Sequence, residues 1–324
     1  MIHRTLNRLA LVFVALHAAP ATLAAEAFPA RPIRVIIPSA TGGQLDVTGR
    51  AVTRAMGDRL GQPFVVENRV GAGSLIGIRG VKASPADGYT LLCTVNTIAI
   101  QQALNQDPGY DVAKDFAGIG PLTRSPFIVV AAPSLPEKNM AEVIARAKAN
   151  PGKLSYGSAG TGSTTHLSAA IFAQRAGIDM LHVPYKGNAA AWPDLLAGRI
   201  AILFEGYGSG GAMVRDGRLK VLGVTSTQRL EVLPDVPTIA ESGAPGYSFY
   251  LWIGLFAPAN TPRDVVQTLS NALRTVLVSA EMKQRFREEG SEAALMSPEE
   301  FDRFVRDDVA TFTKLANDLK LPKQ

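Results

Sequence analysis

Short apolar runs alternate along this chain with longer segments of helical spacing, and that alternation constrains the fold more than any other feature. Runs at 33–37 (IRVII), 64–67, 90–94, 127–131, 154–157, 180–183, 200–204, 219–225 and 250–257 have strand length. Between them, 45–60 places Leu45, Val52, Met56 and Leu60 on one helical face and stops at Gly61, while 164–176 stops at Gly177. Strands alternating with helices predict an α/β fold with mainly parallel sheets. The last third departs from this pattern. Segments 262–279, 280–289 and 298–319 read as helices with no strand between them, the last opening on Ser297 as N-cap, then Pro298, Glu299 and Glu300.

The first residues bear on destination. His3, Arg4 and Arg8 precede an apolar stretch over 9–19, and Ala25-Glu26-Ala27 has the small-x-small form of a cleavage site. This predicts a signal peptide over 1–27 and an exported chain beginning near Phe28. The apolar stretch is too short to span a bilayer, and no later segment has the roughly 18 continuous apolar residues of a membrane helix. Cys93 is the one cysteine, so no internal disulfide forms, and its apolar setting predicts a buried, inert thiol. The formal charge of +5 arises from scattered residues, which favours small anions as partners and argues against nucleic acid.

Two turns made of Gly, Ser, Thr and Ala join a strand to a helix. The first holds Ser39, Ala40, Thr41, Gly42 and Gly43, with Asp46 just inside the helix. The second holds Ser158, Ala159, Gly160, Thr161, Gly162 and Ser163. The leading amides of a helix lack partners and sit at its positive end, so small residues there let an anion reach them. For the first turn two readings stand side by side: an anion cradle, or a tight turn with Asp46 as a cap. The second turn has more hydroxyls and glycines than a cap requires, which favours a ligand. Two such strand–turn–helix units suggest two lobes sharing one ligand.

Enzyme signatures are absent. There is no G-x-S-x-G elbow, and no His/Cys/Asp/Glu group has metal-ligand spacing. Ser163 and His166 share one helical turn, poor geometry for nucleophile and base. His166 reads as a helix-surface or packing residue, His182 as a core histidine, and Lys186 as surface-facing. The segment VGAGSLIG over 70–77 partly matches a dinucleotide loop, but no acidic residue follows at the ribose-binding distance. Its glycines read as allowing close helix–sheet packing, and no cofactor is expected. Glu205 ends a strand where α/β ligands bind, or is a solvated loop carboxylate. Tyr247, Phe249, Tyr250 and Trp252 either wall a cleft or pack in the core.

Five segments in order, FPARPIRVIIPSATGGQLDVTGRAV, LGQPFVVENRVGAGSLIGIRGVKASPADGYTLL, LSYGSAGTGSTTHLSA, VPYKGNAAAWPDLLAGRIAILFE and LFAPANTP, resemble the signature segments of the Bug family, the periplasmic solute-binding proteins of tripartite tricarboxylate transporters. The resemblance covers nearly all of the expected mature chain. It implies a two-lobe Venus-flytrap fold, with lobe 1 over 28–125 plus 252–324 and lobe 2 over 126–251. It also implies a monomer that holds a small carboxylate and docks on membrane permease subunits. In the family the carboxylate is held by backbone amides and hydroxyls of the two turns. Carried over, these are Ser39, Ala40, Thr41, Gly42, Gly43 and Asp46, then Ser158, Ala159, Gly160, Thr161, Gly162 and Ser163. Glu205 stands where the family usually has Asp, and Ala190 where it often has Pro. The alternatives are ligand presentation to a sensor kinase and, from another class, a secreted hydrolase.

Overall fold

A computed structural model describes residues 28–318; the expected signal peptide over 1–27 and the tail over 319–324 lie outside the described residues. Ten strands form one continuous hydrogen-bonded sheet. They are β1 (Ile33–Ile37), β2 (Phe64–Asn68), β3 (Thr90–Val95), β4 (Phe116–Ala131), β5 (Leu154–Ser158), β6 (Met180–Pro184), β7 (Ile202–Gly206), β8 (Lys220–Val224), β9 (Tyr250–Pro258) and β10 (Glu292–Ala293). The order is β2-β1-β3-β9-β4-β7-β5-β6, with β8 and β10 paired to β4.

The two outer parts repeat one plan. β1 lies between β2 and β3, and β5 lies between β6 and β7, all in parallel. At both β1 and β5 the chain leaves the strand toward one side and returns on the other, so each strand ends in a crevice between diverging connections. The predicted strand–turn–helix units occupy these two positions.

The long antiparallel strands β4 and β9 join the two parts. β4 pairs with β9 from Phe116↔Pro258 to Pro126↔Tyr250. From Phe127 onward it pairs instead with β7 and β8. The sequence predicts only 127–131 of this strand. Gly118, Gly120, Pro121 and Pro126 hide the rest, and the structure accommodates them with register shifts at Gly118/Gly120 and Pro121/Thr123, since bulges tolerate residues that weaken a regular ladder. The C-terminal third also contains one strand where none is expected, the two-residue β10 against Arg124 and Thr123.

Helix packing follows the apolar spacing. The helix Gln44–Leu60 buries Leu45, Val52 and Met56 against β1 and ends at Gly61 with φ 71°. Gly49 brings it close to the sheet: a β-carbon there would lie 3.0 Å from Ile37 Cδ1 and 3.1 Å from Cys93 Sγ. Cys93 is fully buried, and burial pushes its thiol up to about 12, so it stays protonated and unreactive. No helix among the described residues is long and apolar enough to cross a membrane.

Candidate functional site

A cavity of about 560 Å³ opens beyond the ends of β1, β5 and β7, within the usual range for a small-molecule site. Both small-residue turns reach it, in different ways.

In the first turn, Ser39, Gly43, Gln44 and Leu45 line the cavity. Gly43 is the N-cap of the Gln44–Leu60 helix and supplies no side-chain cap. The leading amides of a 17-residue helix therefore front the cavity without the usual side-chain oxygen. Ala40, Thr41, Gly42 and Asp46 are not part of the cavity wall. Asp46 is buried and braces the turn from behind. Its carboxylate accepts from Gly42 N (3.0 Å), Arg50 Nε (2.8 Å) and Asn68 Nδ2 (2.9 Å). Asn68 also donates to Ser39 O (2.9 Å) and accepts weakly from Thr41 Oγ1 (3.4 Å).

In the second turn most amides are already engaged. Ala159 N donates to Thr165 Oγ1 (2.9 Å), Gly160 N to Ser158 Oγ (3.1 Å), Gly162 N to His166 Nδ1 (3.2 Å) and Ser163 N to Gly160 O (3.1 Å). Ser163 caps its helix by accepting from His166 N (3.3 Å). Ala159, Ser163, Thr164 and Thr165 line the cavity; Ser158, Gly160, Thr161 and Gly162 do not. This turn faces the cavity with hydroxyls rather than free amides, and those hydroxyls are themselves held in place: Thr164 Oγ1 donates to Asn96 Oδ1 (2.9 Å), Thr165 Oγ1 to Asn188 Oδ1 (3.3 Å), and Ser163 Oγ lies 3.2 Å from Thr165 Oγ1. The duplicated sequence pattern thus yields two unlike walls, one of main-chain donors and one of hydroxyls.

Ser158 and His182 resemble a nucleophile–base pair, with Oγ 2.6 Å from Nε2. Ser158 is fully buried and outside the cavity wall, so the pair serves the turn. His182 stacks on His166 at 4.1 Å and on Tyr156 at 5.0 Å. Burial, then the neighbouring His166, pushes His182 down to about 4, and burial lowers His166 as well. Both rings are neutral at pH 7 and act as buttresses. Of the two readings of His166, helix surface or packing, the structure shows packing: the ring is half-buried against His182, and its Nδ1 accepts from Gly162 N.

Glu205 closes the far wall at the end of β7. It is 1% exposed and accepts from Gly206 N (2.8 Å), Ser209 Oγ (2.6 Å), Trp192 Nε1 (2.9 Å) and Asn188 Nδ2 (3.3 Å). Burial raises its carboxyl above the ordinary value against the pull of these donors. A carboxylate so fully engaged orients Asn188 and Trp192, and it is not a loop group in water.

The sequence reading missed several wall residues. Lys186 is exposed, yet it lines the cavity and is its only cation among the described residues. Val70, Gly71, Ala72, Gly73 and Ser74 form another wall. Within that segment only Gly77 fits the expected packing role, since a β-carbon there would lie 2.7 Å from Pro38 Cβ. Ser74 Oγ donates to Pro38 O (3.0 Å), and Gln101 Nε2 donates to Gly73 O (2.8 Å) and Thr161 O (3.3 Å). Thr97, on the helix Thr97–Leu104, contacts Thr164 across the cleft. Gln44 is packed against Gly206, and its Nε2 donates to Ser125 Oγ (2.8 Å). The partial dinucleotide match over 70–77 does not point to this wall, and no motif marks Thr97, because each residue gains its role from a distant segment.

Comparison with known proteins gives concordant results. The model of the "Tripartite tricarboxylate transporter family receptor" matches residues 48–321. The chain is 33% identical over 300 residues to Protein BugT of Bordetella pertussis, covering 92% of each chain. It superposes on the periplasmic binding protein BugD with a TM-score of 0.88 and 31% identity, covering 92% of this chain and 100% of that one. It superposes on R. palustris Rpa4515 with adipate with a TM-score of 0.87 and 32% identity, covering 90% and 98%. The fold is that of periplasmic binding proteins, and the similar proteins are receptors and binding proteins rather than enzymes.

Proposed function

This chain belongs to the tripartite tricarboxylate transporter receptor family, and we propose that it captures a small carboxylate in a cleft between two lobes and delivers it to the permease subunits of such a transporter. The observation that carries this reading is the uncapped start of the Gln44–Leu60 helix, facing a cavity whose opposite wall is the hydroxyls of Ser163, Thr164 and Thr165. One ligand carboxylate sits on the Gln44 and Leu45 amides, with the Lys186 ammonium at the rim. The hydroxyl wall and Asn188 take the remainder of the ligand. The adipate in a similar structure supports testing dicarboxylates first among the candidates.

The energetics are adequate without any nucleophile. A hydrogen bond to a charged group contributes roughly 1.5–3 kcal/mol. Three or four of them support a dissociation constant near about 1 μM, which requires about −8 kcal/mol after the costs of association.

Among the described residues, the proposed lobes are 28–125 plus 252–318, and 126–251. The change of partner along β4, from β9 at Pro126 to β7 at Phe127, supports this boundary. The chain works in the periplasm after losing residues 1–27.

A thermal-shift screen of small mono-, di- and tricarboxylates, adipate included, tests the binding reading. At least one should stabilise the purified chain, bind in calorimetry and be recovered unchanged. Consumption of the ligand by the protein alone would overturn it. Delivery is tested separately: deleting the gene should slow uptake of that carboxylate, and normal uptake would remove the transport role while leaving binding intact.

A further inference from the structure

A second cavity of about 560 Å³ lies where β4 and β9 run from one part of the sheet into the other. It shares no wall residue with the first. Its floor is aromatic, built by Trp252 and Tyr250 of β9, Phe249 just before it, and Phe304 and Phe312 of the terminal helix Pro298–Asp318. The three charged residues on its wall are Arg124, Arg175 and Asp308.

These charges are not balanced in the ordinary way. Arg124 and Arg175 are exposed, and neither forms an ion pair among the described residues. The Arg124 guanidinium lies 4.0 Å from the centre of the Tyr250 ring, which fixes its plane at the mouth. Glu292 faces Arg124 across the β10–β4 pairing without reaching ion-pair distance. Asp308 is directed inward and accepts from Trp252 Nε1 at 2.8 Å. It is thus held by the protein's own aromatic floor, and the two arginines remain as cations open to a guest.

We propose that this rear cavity is a second ligand site, taking an amphipathic monoanion: an aromatic or medium-length aliphatic body with one carboxylate head. The body covers Trp252, Phe304 and Phe312. The head lies at the mouth, where the planar guanidinium of Arg124 and that of Arg175 donate to its oxygens. The body removes apolar surface from water, and the head avoids the cost of burial by staying at the rim.

The chain has two tryptophans, one in each cavity region: Trp192 at the front, bonded to Glu205, and Trp252 at the back. A Trp192→Phe variant therefore leaves Trp252 as sole emitter. Titration of that variant with octanoate should change Trp252 emission saturably, and calorimetry on the unmodified chain should detect the same event. Replacing both exposed arginines, Arg124→Ala with Arg175→Ala, should weaken the octanoate response at least about tenfold, as loss of charge-assisted hydrogen bonds requires. Octanol and octylammonium should each bind more weakly than octanoate. Three results would overturn the proposal: no saturable octanoate binding by either measurement, an octanoate response unchanged by the double arginine substitution, or octylammonium binding as tightly as octanoate.

Discussion

Thr97 and Thr164 meet across the cleft with their hydroxyl oxygens 2.9 Å apart, both residues buried. Thr164 Oγ1 donates onward to Asn96 Oδ1 (2.9 Å), and Thr164 N donates to Thr97 Oγ1 (3.2 Å). The first amide of the second helix is thus satisfied from a segment 67 residues away. This contact draws the second turn onto the Thr97–Leu104 helix and roofs the cavity.

Thr164→Val removes the hydroxyl link while keeping the shape of the side chain. A neutral hydrogen bond contributes about 0.5–1.5 kcal/mol, so carboxylate affinity should fall roughly threefold to tenfold. The far-UV spectrum should not change. Calorimetry with the carboxylate found by screening measures this. Wild-type affinity would show that the contact plays no part in holding the cleft together.

Gly206 offers a sterically sharper test. A β-carbon there would overlap the Gln44 amide and lie 2.8 Å from Gln44 Cβ, which cannot swing aside. The backbone at Gly206, φ −72° and ψ 135°, suits any residue, so the effect is one of contact alone. Overpacking costs about 1–3 kcal/mol. Gly206→Ala should weaken binding by roughly tenfold or more and enlarge the radius of gyration in scattering. Normal affinity with an unchanged profile would contradict the contact between the first cradle and β7.

Lys186 supplies long-range attraction from an exposed position. Lys186→Ala should weaken carboxylate binding about twofold to fivefold at low salt, in keeping with exposed charge pairs. The difference should shrink as salt screens the charge. A titration series in sodium chloride reads this directly. A loss of several hundredfold, independent of salt, would mean that the ammonium and not the helix start is the main anion holder.

The stacked histidines set a pH limit. The folded-state value of His182 is depressed to about 4 from an ordinary 6.5, so the unfolded chain binds more protons between those values. Its contribution to stability is complete above about pH 6.5 and is lost as pH falls toward 4. The difference in unfolding free energy between the chain and a His182→Asn variant should therefore diminish over this window, measured by urea titration. A constant difference from pH 7 to 4 would contradict the neutral-buttress role. Asp308, whose carboxyl burial raises to about 6, acts in the opposite direction, and the comparison of variants cancels it.

Much of the architecture was legible because it is local. The glycine stops at Gly61 and Gly177, the apolar face of Leu45, Val52 and Met56, and the paired turns follow from nearest-neighbour chemistry. The hidden part was what distance creates. The sequence of the second turn shows glycines and hydroxyls, but not that His166 and Ser158 already hold the amides of Gly162 and Gly160. Lys186 reads as a surface lysine because it is exposed; only the return of the loop after β6 beside Ala40 puts it on the cavity wall. There a β-carbon at Gly187 would lie 3.0 Å from Ala40 Cβ. The first two-thirds of β4 was invisible because glycine and proline argue against a strand, and only the pairing with β9 outweighs them.

The central claim is that the carboxylate sits on the main-chain amides opening the Gln44–Leu60 helix. An amide-resolved NMR titration of the deuterated chain with the carboxylate found by screening tests it most directly. The account predicts the largest saturable shifts at Gly43, Gln44 and Leu45, with Gly160 and Gly162, already bonded within the protein, moving less. Large shifts at Gly160 and Gly162 with none at Gln44 and Leu45 would contradict it.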